Sequence, residues 1–137
     1  MTTAGDIINR ALKDAGVIAA GETAAAEDAV DALIALNDII IQWQALPGCV
    51  PKAPYELVTF ASQADLMNLP PLYEPALRYS LAEVLPTIFS LPVRPDIIRL
   101  AVQARKVLKR ANLVIPDAEM PCALQFGRRL GTCCSDE

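Results

Sequence analysis

Two prolines, Pro92 and Pro95, constrain this chain most strongly. On either side of them runs the same apolar rhythm. Leu77, Leu81, Val84 and Ile88 recur at steps of four, three and four, and Ile97, Ala101, Ala104, Leu108 and Ala111 resume the pattern afterwards. Such steps stack side chains on one face of a helix. Proline cannot sit inside a helix, because it lacks the N–H and its ring collides with the preceding turn. The spacing therefore predicts two amphipathic helices joined by a tight connection and lying roughly antiparallel. Pro95 suits the first turn of the second helix, where its missing N–H costs nothing, and Asp96 beside it favours the positive end of the helix dipole. Lys109 and Arg110 suit the other end. Within the first of the two helices, Pro86 would clash with the carbonyl of Ala82, which predicts a kink or an early end.

A hairpin with an apolar seam on each arm must be covered, and the N-terminal half has the residues to do it. Thr3 with Asp6 three residues later reads as a capping box, followed by one apolar face (Ile7, Ile8, Ala11, Leu12, Ala15) and a stop at Gly16. Thr23 reads as a second cap. Beyond it Ala29, Leu33, Leu36, Ile40 and Trp43 recur at four, three, four and three, flanked by Val30, Ile34 and Ile41. This widest apolar surface makes the second helix the expected spine, with Trp43 mostly buried and Leu33 and Leu81 in the core. The seams of the second, third and fourth helices are expected to close one bundle. A composition that is 53% hydrophobic but 5% aromatic suits a helical core of Ala, Leu, Ile and Val. The expected fold class is all-α: a four-helix bundle-like domain over 1–113, with an extended C-terminal tail over 114–137.

Pro47 and Gly48 end the second helix and open a long proline-rich loop, 47–71, between the second and third helices. Inside it Tyr55, Leu57 and Thr59 alternate with Glu56, Val58 and Phe60 like a strand. A connection this long is expected either to reach out to a partner, presenting Tyr55, Leu57 and Phe60, or to fold back over the helices. After Leu113 the helical period is lost, with Pro116, Pro121, Gly127 and Gly131 in the tail. Leu124, Phe126 and Leu130 beside Arg128 and Arg129 read as a linear segment that orders on a partner.

Charge is segregated along the chain. Residues 1–46 carry a balance of minus five and residues 94–113 a balance of plus five, within a total of minus four. A net-acidic chain is a poor wrapper of nucleic acid. The basic helix face (Arg99, Lys106, Arg110) could touch phosphate, but a solvated or subunit-pairing face is the simpler reading. Its natural complement is the acidic second helix, with Asp28 and Asp31, in a neighbouring subunit. Asp28, Asp31 and Asp38 lie off the apolar seam with no nucleophile, base or metal partner beside them, so no catalytic residue is assigned. Four cysteines without a CxxC pair, and no histidine, argue for reduced thiols and against a metal site or cofactor. No apolar run is long enough for a membrane span, and the first residues lack a signal-peptide layout, so a cytosolic product is expected.

The runs TAGDIINRALKDAGVIAAGETAAAEDAVDALIALNDIIIQW (3–43) and LPPLYEPALRYSLA (69–82) and the closing KRAN (109–112) resemble the head-to-tail adaptor proteins of short-tailed bacteriophages. These are also called head-completion, tail-accessory or packaged-DNA stabilisation proteins. The resemblance covers roughly 3–113 and involves no catalytic motif. It implies an all-helical virion protein, made in the bacterial host cytoplasm. It would assemble, typically as twelve copies, into a homo-oligomeric ring beneath the portal protein at the head-tail junction. Such a ring extends the DNA channel, helps retain packaged double-stranded DNA without sequence-specific binding, and offers a platform to a downstream nozzle or tail-tube protein. The resemblance maps portal binding to 114–137, with Leu124, Phe126, Arg128, Arg129 and Leu130, and leaves Tyr55, Leu57 and Phe60 for the tail component. No membrane is implied. Two other readings compete with it. A small helical DNA-binding regulator would need a tighter turn than 16–23 and a basic second helix. A cell-wall hydrolase would need a carboxylate pair in a recognisable setting.

Overall fold

A computed structural model describes residues 2–19 and 21–113. The tail 114–137, with the expected portal contacts Leu124, Phe126, Arg128, Arg129 and Leu130, lies outside the described residues. Four helices make up the fold: α1 (Ala4–Ala15), α2 (Ala26–Gln44), α3 (Tyr73–Ile88) and α4 (Pro95–Asn112). Among the described residues the sole strand-like pairing is one bridge between Thr3 and Leu66, so the class is all-α.

Local chemistry accounts for most of the helix ends. The Thr3 hydroxyl accepts from the Asp6 N–H (3.1 Å) and the Asp6 carboxylate accepts from the Thr3 N–H (2.9 Å), which satisfies donors that the first turn leaves open. Gly16 closes α1 with φ +80°, its N–H directed at the carbonyls of Leu12 and Lys13. α4 begins with Pro95 in its first turn beside Asp96 and ends with Lys109 and Arg110, as the dipole favours. The start of α2 differs from the expectation. Thr23 is not its cap: the helix begins three residues later behind Ala25, with no side-chain cap. The Asn9 side chain of α1 accepts from the Ala24 N–H (3.4 Å), so this stretch follows α1 before it turns, and Glu27 and Asp28 occupy the first turn. Pro86 falls in the last turn of α3, which stops two residues later at Ile88. The Leu91 N–H then closes on the Pro86 carbonyl (2.8 Å).

The packing centre is α3. It packs against α1, α4 and α2, and α1 packs on α2, whereas α2 and α4 form no packed helix pair. The expectation of α2 as spine is therefore corrected. The reason lies in side-chain size. Small residues (Ala76, Ser80, Ala82) alternate with Leu77, Leu81 and Leu85 around α3, all buried, so neighbours can approach it from several sides. α2 buries a stripe of Ala29, Ala32, Leu36, Ile39, Ile40 and Trp43, while Leu33 is half-buried at its edge. Cross-helix ion pairs rim this core. Arg78 grips Asp14 of α1 with two nitrogens (2.5 and 2.8 Å), Arg10 pairs with Glu74, and Arg105 of α4 pairs with Glu83 (2.7 Å).

The long loop folds back over the helices. Asn37 of α2 donates to the Phe60 carbonyl and accepts from the Phe60 N–H, and Gln44 donates to the Leu57 carbonyl (2.6 Å). Further along, the carbonyls of Asp65 and Gln63 accept from the N–H groups of Ala4 and Gly5 at 3.0 and 2.8 Å. Backbone otherwise open at the start of α1 is thereby paired. A side chain at Gly5 would sit 3.0 Å from the Gln63 carbonyl oxygen, so glycine is what lets the loop approach this closely.

Candidate functional site

With α3 packed by α1, α2 and α4, the outer faces of α2 and α4 keep apolar residues exposed. On α2, Val30, Ile34 and Ile41 are each more than half exposed, at spacings that put them on one face. Glu27, Asp31 and Asp38 are exposed among them, and Asp28 is half-buried beside them. No basic residue lies on α2, and among the described residues none of these four acids has an ion-pair partner.

On α4 the buried positions are Ile97, Ala101 and Leu108. The opposite face exposes Ile98 and Val102 among Arg99, Lys106 and Arg110, and Val107 is exposed on the other flank of the helix. Several bases near this face are committed. Arg105 turns inward to Glu83 and the Ser80 hydroxyl, Arg99 pairs with Asp96 one turn away (3.1 Å), and Arg94 donates to the Asp14 carbonyl. Lys106, Lys109 and Arg110 have no acidic partner among the described residues. The two apolar-and-charged faces match in length. Val30 to Ile41 and Ile98 to Arg110 span about 16 and 18 Å at the α-helical rise. Asp28, Asp31, Arg99, Lys106 and Arg110 thus all lie on or beside one of the two faces. Ile98, Val102 and Val107 were not singled out in the sequence. Their signal was positional, since each lies off the 97/101/104/108 seam.

The loop presents a different set from the one expected. Tyr55 is exposed, but Leu57 and Phe60 are buried against the helices and are not available to a partner, which corrects their reading as surface contacts. The residues exposed instead are Val58 and Leu66. Burial here runs at a step of three, from Leu57 to Phe60, because Asn37 and Gln44 hold the backbone at 60 and 57; the alternation in the sequence misassigned it. A shallow groove of about 330 Å³ runs between 54–60 and 65–69. Its two carboxylates are Glu56 and Asp65, and Asp65 is occupied by the N–H groups of Ala61 and Ser62.

The reactive groups in the interior are structural. Cys49 is buried, and desolvation pushes its thiol above the usual range, which keeps it protonated. Tyr73, its phenol likewise raised chiefly by burial, donates to the Cys49 carbonyl (3.0 Å) and accepts from Asn112 (2.5 Å). Among the described residues no three acids or thiols gather as a metal site, and no helix is long and apolar enough to cross a membrane. No known protein family matches the chain, and no curated protein matches it either.

Proposed function

We propose that this chain is a structural virion subunit: a head-to-tail adaptor that forms a ring under the portal, typically of twelve copies. Its helices would act as a four-helix bundle-like adaptor domain. The observation that carries the reading is the pair of uncovered faces on α2 and α4. An assembling subunit leaves apolar surface bare where a neighbour will sit, and faces of opposite charge on different elements favour closed rings or open chains over two-fold dimers. The net negative charge also suits a channel wall along which DNA slides without being held by phosphate contacts. In this reading the tail 114–137 binds the portal, the exposed part of the loop near Tyr55 meets the next tail component, and no catalysis or cofactor is involved. The test is electron microscopy of the purified chain mixed with its portal protein. The full chain should form a ring on the portal, whereas a chain ending at Leu113 should keep its helical signal and melting temperature yet fail to bind. A full chain that leaves the portal bare defeats the reading.

A further inference from the structure

We infer that α2 of one copy lies antiparallel against α4 of the next copy, with the two uncovered faces in contact; this deepens the adaptor reading and rests on it. Like faces cannot pair with themselves. An α2–α2 contact would set Asp31 and Asp38 against the same acids, and an α4–α4 contact would set Lys106 and Arg110 against the same bases. Among the described residues α2 and α4 form no packed pair, and Val30, Ile34 and Ile41 on one and Ile98 and Val102 on the other are exposed. The contact is therefore between different faces, and each subunit has one of each.

The direction follows from where the charges sit along each helix. On α2 the acids crowd the first half: Glu27, Asp28 and Asp31. On α4 the bases that have no acidic partner among the described residues crowd the last two turns: Lys106, Lys109 and Arg110. Antiparallel packing brings these clusters together. It puts Asp31 within reach of Lys106 and Arg110, Ile41 beside Ile98, and Ile34 beside Val102. It also sets the positive end of the α2 dipole against the negative end of α4. Parallel packing would place Arg110 on Ile41 and leave the Glu27–Asp31 cluster facing Arg99, whose guanidinium already serves Asp96. The apolar residues give each contact a dry centre, and the charges set partner and direction.

The experiment is sedimentation equilibrium of the full chain at low and high salt, with the same proteins imaged on the portal. The wild type should self-associate, more weakly as salt rises. Asp31→Lys alone, or Lys106→Glu with Arg110→Glu, should weaken association by about tenfold or more, as like charges then face each other. All three substitutions in one chain should restore it, a rescue that a misfolded variant cannot show. If either reversal leaves association unchanged, or the combined chain fails to regain it, the pairing is wrong. If both reversal variants still form rings on the portal, the pairing is wrong while the adaptor reading stands. Self-association with charge rescue but no portal binding upholds the pairing and removes the adaptor reading. A wild type that neither self-associates nor forms a ring on the portal overturns both.

Discussion

Asn37 and Phe60 stand 23 residues apart in sequence and share two hydrogen bonds of 2.9 Å, the Asn37 carboxamide donating to the Phe60 carbonyl and accepting from its N–H. The arrangement imitates the pairing of a β-ladder with a side chain in place of a second strand. It decides the course of the whole 47–71 loop, because it turns the Phe60 ring into the core between α2 and the rest. Asn37→Ala should therefore cost about 1 to 3 kcal/mol, since both Phe60 backbone groups lose their partner at a part-buried site. Chemical denaturation measures the loss. Hydrogen exchange should speed up over 57–66 before it does in α3, and equal protection in mutant and wild type would contradict this account.

The contrast between buried seam and bare face predicts a sharp split in mutational cost. Leu81 is fully buried in α3, and Leu81→Ala should lose about 2 to 5 kcal/mol through lost burial and the cavity left behind. Ile34 on α2 is 56% exposed, and Ile34→Gln should change stability by no more than about 0.5 kcal/mol while weakening self-association. Leu33, half-buried, should fall between them. Thermal melts of the three variants test the order.

Acid should loosen the junction between α1 and the loop. The Thr3 N–H, and then the Thr3 hydroxyl, hold the Asp6 carboxyl below its ordinary value of 3.8. The Ser62 N–H, the Ser62 hydroxyl and the Ala61 N–H do the same for Asp65. A carboxyl whose folded value is depressed adds stability that is fully present above the unfolded value and is lost as pH falls through the folded one. Wild-type melting temperature should therefore drop as pH falls below about 4, while Asp6→Asn and Asp65→Asn, already weaker at neutral pH, should show a flatter acid limb. Parallel curves for mutants and wild type would show that these carboxyls carry no such linkage.

Tyr73 ties three segments together. Its hydroxyl joins the Cys49 carbonyl at the loop start to Asn112 at the end of α4, and Asn112 also reaches the Gly48 carbonyl (3.3 Å). Tyr73→Phe keeps the ring and removes the link, so it should cost about 1 to 3 kcal/mol. Amide exchange in the last turn of α4 should rise with it. Cys49→Ser, by contrast, leaves the carbonyl in place and should spare that turn.

Features governed by near neighbours could be read from the sequence, and those governed by distant ones could not. The Thr3–Asp6 cap, the Gly16 stop, Pro95 in the first turn and the bases at the end of α4 involve groups within one or two turns, where identity and spacing are enough. The buried Trp43 and the α4 seam of Ile97, Ala101 and Leu108 follow from periodicity in the same way. On α3, by contrast, only Leu77 and Leu81 of the expected seam are buried. Leu85 takes the next core position and Val84 and Ile88 are exposed, because neighbours press on α3 from more than one side. α2 is apolar on more than one side, and periodicity cannot say which side a neighbour will cover. The packing on α1 and α3 chose Ala32, Leu36 and Ile39 and left Val30, Ile34 and Ile41 bare. The charge asymmetry was plain from composition, yet which bases would be left over was decided when Arg105 turned to Glu83 and Arg99 to Asp96. The inward fate of Leu57 and Phe60 rests on Asn37 and Gln44, side chains on another element. Residue identity and spacing were enough to fix the start and stop of α1 and the two ends of α4, because those caps act within a turn, but not the start of α2, where Thr23 is left outside the helix. Which faces are spent on the core and which stay bare followed from what packs against each helix, and periodicity within one helix carries no record of that.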